Sequence, residues 1–163
     1  MARLDQLFST SGDGTGATNM AAAAANYMVR PAANEVMEIA RILVHMTDAG
    51  KFAGEKYSAA GALANGIVIT KRDTTGIVHN YTPQPIKVIG HWGLLAGVDM
   101  IVTDFTTGND IVLVRWTLSK ADHKTTLDGR KGEYLNIEVK DTMVAFVEHQ
   151  VQAQGNVLWV DGD

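Results

Sequence analysis

Five histidines, His45, His79, His91, His123 and His149, are the side chains best suited to metal ligation or acid-base chemistry in this chain. None belongs to a His-x-His or His-x-x-x-His pair, the local spacings that bring two imidazoles onto one ion. There is no cysteine, which removes thiolate nucleophiles, disulfides and Cys-based zinc sites. Asp99, Asp104, Asp110, Asp122 and Asp128 gather in and around turns, where aspartates ordinarily bond nearby backbone amides. A glycosidase needs two carboxylates facing each other across a sugar, and no local pattern here supplies such a pair. Ser9, Ser11, Ser58 and Ser119 all lie outside any Gly-x-Ser-x-Gly turn, so no nucleophile elbow is present. These spacings predict no catalytic residue, no metal and no cofactor.

The glycine-rich run Gly12-Asp13-Gly14-Thr15-Gly16 follows no strand and lacks the Gly-Lys-Ser/Thr ending of a phosphate loop. Asp13 and Asn19 offer oxygen ligands for Ca²⁺ there, without the spacing of an EF-hand. Of the three tryptophans, Trp116 sits in an apolar strand and is expected in the core. Trp92, within Gly90-His91-Trp92-Gly93, is the best candidate for a loop aromatic that contacts a partner or a sugar, with simple packing as the alternative. The densest basic stretch, Lys120, His123, Lys124, Arg130 and Lys131, is interrupted by Asp122, Asp128 and Glu133. With 14 Lys and Arg against 18 Asp and Glu, the net charge is −4, and direct nucleic-acid binding is not expected.

These residues must be held by 163 positions that are 46% hydrophobic and 20% charged, a composition that folds as one domain. No apolar run approaches the 18 or so residues of a membrane span, and Leu4, Leu7 and Phe8 never extend into a signal-peptide core. Those three recur at i, i+3 and i+4, compatible with a short amphipathic turn in an N-terminal arm. Residues 1–20 read as that arm with its glycine-rich turn, and 21–163 as the single domain. Tyr27 to Arg30, before Pro31, reads as extended.

From Asn34 to Lys51 the polar residues fall at helical spacing, and local pattern slightly prefers a helix. The strand alternative puts Met37, Ile39, Arg41, Leu43 and His45 on one side and Glu38 to Met46 at even positions on the other. From Gly66 onward the pattern is β. Ile67 to Thr70 and Ile77 to Tyr81 flank a turn at Asp73-Thr74-Thr75-Gly76. Ile86 to Ile89, Asp99 to Phe105 and Ile111 to Leu118 are further extended runs, and Tyr134 to Lys140 alternates cleanly. Ala145 to Ala153 and Val157 to Val160 read as two closing stretches. Many short strands without helix alternation predict an all-β antiparallel sandwich, jelly-roll-like, with a short N-terminal arm.

A resemblance adds to this reading. Gly12-Asp13-Gly14-Thr15-Gly16, Tyr27 to Pro31, Val36 to Asp48 and Leu63-Ala64-Asn65-Gly66-Ile67 come in that order. Val112-Leu113-Val114-Arg115-Trp116-Thr117 and Leu127-Asp128-Gly129 follow. Together they resemble small virion structural proteins of tailed bacteriophages, particularly of marine-type phages. The resemblance covers most of the chain and implies a non-enzymatic β-sandwich of the virion. It makes Val36 to Thr47 a long strand, and that assignment is adopted. It further implies a symmetric homo-oligomer, a trimer favoured, that decorates or cements the capsid in contact with other virion proteins. Leu4, Leu7 and Phe8 are expected to anchor the arm on an adjacent subunit. The alternatives are a neck, tail or fibre-adaptor component, or a carbohydrate-binding module built around Trp92.

Overall fold

The computed structural model describes residues 3–9, 25–48, 50–58, 61–104, 108–118, 125–141 and 146–159. The glycine-rich run with its Ca²⁺ candidates, and the basic residues Lys120, His123 and Lys124, lie outside the described residues. The strands are β1 (Arg3–Ser9), β2 (Ala25–Val29), β3 (Glu35–Asp48), β4 (Ile67–Asp73) and β5 (Gly76–Asn80). They continue as β6 (Val98–Thr103), β7 (Ile111–Thr117), β8 (Thr125–Asp128), β9 (Tyr134–Val139) and β10 (Phe146–Trp159). A six-stranded antiparallel sheet runs β1-β10-β3-β7-β6, with β8 also paired to β3, and a four-stranded sheet runs β2-β9-β4-β5. The inner faces of both sheets supply one apolar core, so the chain is an all-β sandwich.

The strand over Glu35–Asp48 resolves the contest between helix and strand, and also explains it. Opposite β10, Gln154 pairs with Arg41 but Gly155 pairs with Ile39, leaving Ala40 as an extra residue on β3. This bulge shifts the inward phase by one. Met37 and Ile39 point into the core before it, and Ile42, Val44 and Met46 after it. The inward set therefore combines the odd positions of one half with the even positions of the other, and neither simple alternation fits the whole strand. The step from Ile39 to Ile42 is three residues, which imitates helical spacing. At the same point the neighbour on the far edge changes, from β8 against Val36–Ile39 to β7 against Arg41–Thr47.

Three other expectations change. The N-terminal arm is not separate from the domain: Arg3–Ser9 is an extended edge strand, not an amphipathic turn, and pairs along its length with β10 of the same chain. The two closing stretches are one strand that runs through Gly155. Ile86 to Ile89 forms no strand, because the backbone groups of Lys87, Val88 and Ile89 are bonded to Leu63, His91 and Lys56 in loops and the 3-10 segment instead of to a ladder. Ile86 makes a single bridge to Ile67, and the chain then turns into a 3-10 segment, Ile89–Leu94. The hairpin at Asp73–Gly76 is as expected: Asp73 accepts from the Thr75 N–H at 2.7 Å and Gly76 takes the left-hand φ of 135°. The Thr75 hydroxyl, which donates to the same carboxyl at 2.6 Å, and then that N–H hold Asp73 below the usual carboxylate range.

Candidate functional site

Trp92 lies inside the molecule, 1% exposed, and not on a contact loop. The 3-10 segment that carries it packs inward because the ring is a large apolar surface with one donor, and both find partners there. Its Nε1–H donates to the Tyr57 hydroxyl at 3.4 Å, and that hydroxyl lies 2.6 Å from Nε2 of His149 on β10. Tyr27 on β2 donates its hydroxyl to the His149 carbonyl at 3.1 Å. Phe146 meets the Tyr57 ring edge-on at 5.3 Å and closes the cluster. Burial pushes both tyrosine hydroxyls well above their ordinary range, so neither is a proton acceptor at neutral pH.

Tyr57 and His149 share the 2.6 Å contact, and the imidazole tautomer sets which of them donates. Nδ1 has no hydrogen-bond partner among the described residues. Complete burial pushes the imidazole down to about 4, since a cation there would have neither water nor a carboxylate to compensate it. The histidine is therefore a neutral strut joining β10 to the loop that carries Tyr57, closed to any substrate.

That strut has a pH consequence. Below the ordinary histidine pKa near 6.5 the unfolded chain binds a proton that the folded chain refuses until about pH 4. Proton uptake thus favours the unfolded state. The contribution is complete above pH 6.5 and is lost as the pH falls to 4, about 3 kcal/mol in all. Urea titrations at pH 7 and pH 4 are expected to differ by about that much more in the native chain than in His149→Gln.

Of the carboxylates singled out in the sequence, Asp104 and Asp110 share Lys51, and Asp99 and Asp128 each hold an arginine. Asp110 accepts from the Phe52 amide at 2.8 Å, Asp128 holds Arg130, Asp99 pairs with Arg115, and Asp104 pairs with Lys51. The contact with Arg130 lowers the Asp128 carboxyl, and the contact with Asp104 raises Lys51. Asp122 lies outside the described residues. No three His, Asp or Glu side chains come together to hold a metal among the described residues. No helix is long and apolar enough to cross a membrane among them either.

The surface depressions among the described residues include the following two. One, of about 280 Å³, lies between the Tyr81–Ile86 loop and the 3-10 segment, walled by Pro83, Pro85, His91, Leu94 and Leu95. The other, of about 310 Å³, lies on the outer face of the six-stranded sheet, between Leu43, His45, Leu113, Glu148, Gln150 and Gln152. There His45 Nδ1 lies 3.9 Å from Glu148 Oε2, a half-exposed contact of little energetic weight.

The more unusual surface is at the sheet edges. Ile77 and Val78 on β5 are 56% and 49% exposed, and Ile101 and Val102 on β6 are 52% and 40% exposed. Leu94, in the 3-10 segment before β6, is 73% exposed. Adjacent residues of a regular strand point to opposite faces, so β6 shows apolar side chains to solvent on both faces, whereas on β5 Val78 is the extra residue of a bulge and the alternation is broken there. Sequence reasoning missed this set. The available signal was Met100-Ile101-Val102, consecutive apolar residues in a strand where Val98 and Met100 already pack against the core. Leu4, Leu7 and Phe8 are carried by β1, on the other edge of the same sheet. Comparison with family models, curated proteins and solved structures found no match for this chain.

Proposed function

We propose that this chain is a non-enzymatic structural protein of a tailed-phage virion that acts by assembling with itself and its neighbours, decorating or cementing the capsid. The observation that carries the reading is the exposed apolar side chains along the edge strands β5 and β6, in a sandwich whose buried His149 and Tyr57 are sealed from substrate. Unprotected sheet edges are sites of association, and a virion component uses them for that purpose. The resemblance to virion proteins supplies the particle, and a trimer is the oligomer it favours.

A jelly-roll winding is part of this reading. Support comes from nested pairing: β1 with β10, β2 with β9, β3 with β8, and β4 with β5. Such nesting follows a rolled antiparallel ribbon in which β10 also meets β3 and β9 also meets β4, with the β6–β7 pair added between β5 and β8 along the chain and joined to the sheet through β3. The glycan-binding alternative loses its main support with Trp92 in the core.

Quantitative mass spectrometry of purified particles tests the reading through copy number against the major capsid protein. A comparable count is expected and supports decoration. One ring's worth would move the chain to the neck or tail, and absence from the particle would overturn the virion reading altogether.

A further inference from the structure

The β6 edge carries a specific prediction about what it meets. Gly97 accepts from the Thr117 N–H at 3.0 Å, so by alternation Asp99, Ile101 and Thr103 turn their backbone groups toward β7. Met100 and Val102 turn theirs to the outer edge, where no described strand lies. The Val98 N–H also faces outward but is already donated to the Leu95 carbonyl. β6 pairs with β7 over six residues without a register shift. The other exposed apolar edge, β5, is broken by a bulge at Lys71/Arg72, and β2 runs directly into Arg30-Pro31. Bulges and prolines blunt an edge, and β6 has neither.

We propose that β6 pairs antiparallel with β6 of a second copy of this chain, about a two-fold axis at Ile101. In this register Met100 lies opposite Val102 of the partner subunit, and Val102 opposite the partner's Met100. Each pair exchanges both N–H···O bonds, so the backbone groups used are the two outward sets that are still open. A register centred on Met100 would instead pair Val102 with the partner's Val98, whose N–H is already engaged, and would set Ile101 against a carboxylate, the partner's Asp99.

The side chains agree with the Ile101 axis. Asp99 would face the hydroxyl of Thr103 of the partner subunit, and its charge is already matched by Arg115 at 3.4 Å on the same face. No two like charges meet directly across the axis. On the outer face Gln150, His45, Leu113 and Ile101 form one row across β10, β3, β7 and β6. The row ends at Ile101, half exposed, and the two-fold continues it with a second Ile101 followed by a second Leu113. A continuous apolar centre replaces two open ends.

This inference rests on the reading of the chain as self-assembling, and makes the β6 contact a two-fold dimer in place of the trimer that the resemblance favours. Because the chain has no cysteine, a single introduced thiol reports it cleanly. Directly opposed residues outside a hydrogen-bonded pair have Cα atoms about 4.5 Å apart, within disulfide reach. Mild oxidation of the full chain carrying I101C is expected to give mostly covalent dimer. T103C, on the same face but roughly 13 Å from its own copy, is expected to stay monomeric in the same gel. In sedimentation equilibrium the native chain is expected to dimerise, and I101K to associate roughly a hundredfold more weakly, with the two melting curves coinciding at dilutions where both chains are monomeric. A monomeric native chain, or I101C cross-linking no better than T103C, would overturn the β6 pairing. A native trimer indifferent to I101K would also overturn it while leaving self-assembly intact. Absence of the chain from phage particles would sink the virion reading without touching the β6 result.

Discussion

Replacing Gly155 by alanine is expected to destabilise this protein by at least about 4 kcal/mol, a fall of roughly 10 °C or more in Tm. A Cβ at that position would lie 1.9 Å from the Glu38 carbonyl oxygen and 3.0 Å from Ile39 Cα. The obstructing atoms are all backbone, so no side chain can rotate away. Relief requires β3 and β10 to separate at the bulge, and these are the two longest strands, each of 14 residues. Gly93→Ala is the control: nothing lies within 4 Å of its new methyl group, and its Tm should be unchanged or slightly raised. If Gly155→Ala melts with the native chain, the close approach of the two strands at Ala40 is wrong.

The second large effect is expected at Trp92. Truncation to alanine empties a large volume in the core and leaves the Tyr57 hydroxyl without its indole donor. Aromatic-to-alanine changes of this kind cost about 3–5 kcal/mol. Trp92→Phe keeps most of the volume and loses the donor, so its cost should be closer to 1–2 kcal/mol, roughly that of an unmade buried hydrogen bond. Denaturant titration separates the two variants. A Trp92→Ala chain of native stability would return the indole to the surface and revive its role as a contact residue.

Much of the sandwich was legible along the chain. Leu135, Ile137 and Val139 alternate inward on β9, and the turn residues Asp73 and Gly76 close the β4–β5 hairpin where their chemistry predicts. Gly155 was misread as a break because glycine is equally at home in a turn and beneath another backbone, and only the position of β3 distinguishes the two. The short strand β8 went unread because Thr125 and Thr126 have no apolar alternation, and its pairing is imposed by β3. The burial of Trp92 was hidden for a similar reason. Its flanking glycines describe local chain freedom, whereas its depth depends on Tyr57 and His149, 35 and 57 residues away in sequence and adjacent only in the fold.

By itself the sequence determined the β class, the antiparallel layering, most turns and the lack of a local ligand or nucleophile motif, because these follow from side-chain period and turn chemistry within a few residues. Tertiary structure alone decided the phase of β3, the continuity of β10, the neutral His149 strut and the exposure of Ile101 and Val102. Each of these depends on which strand lies alongside. A bulge is defined by its partner, a buried proton by its surroundings, and an open edge by the neighbour that does not follow.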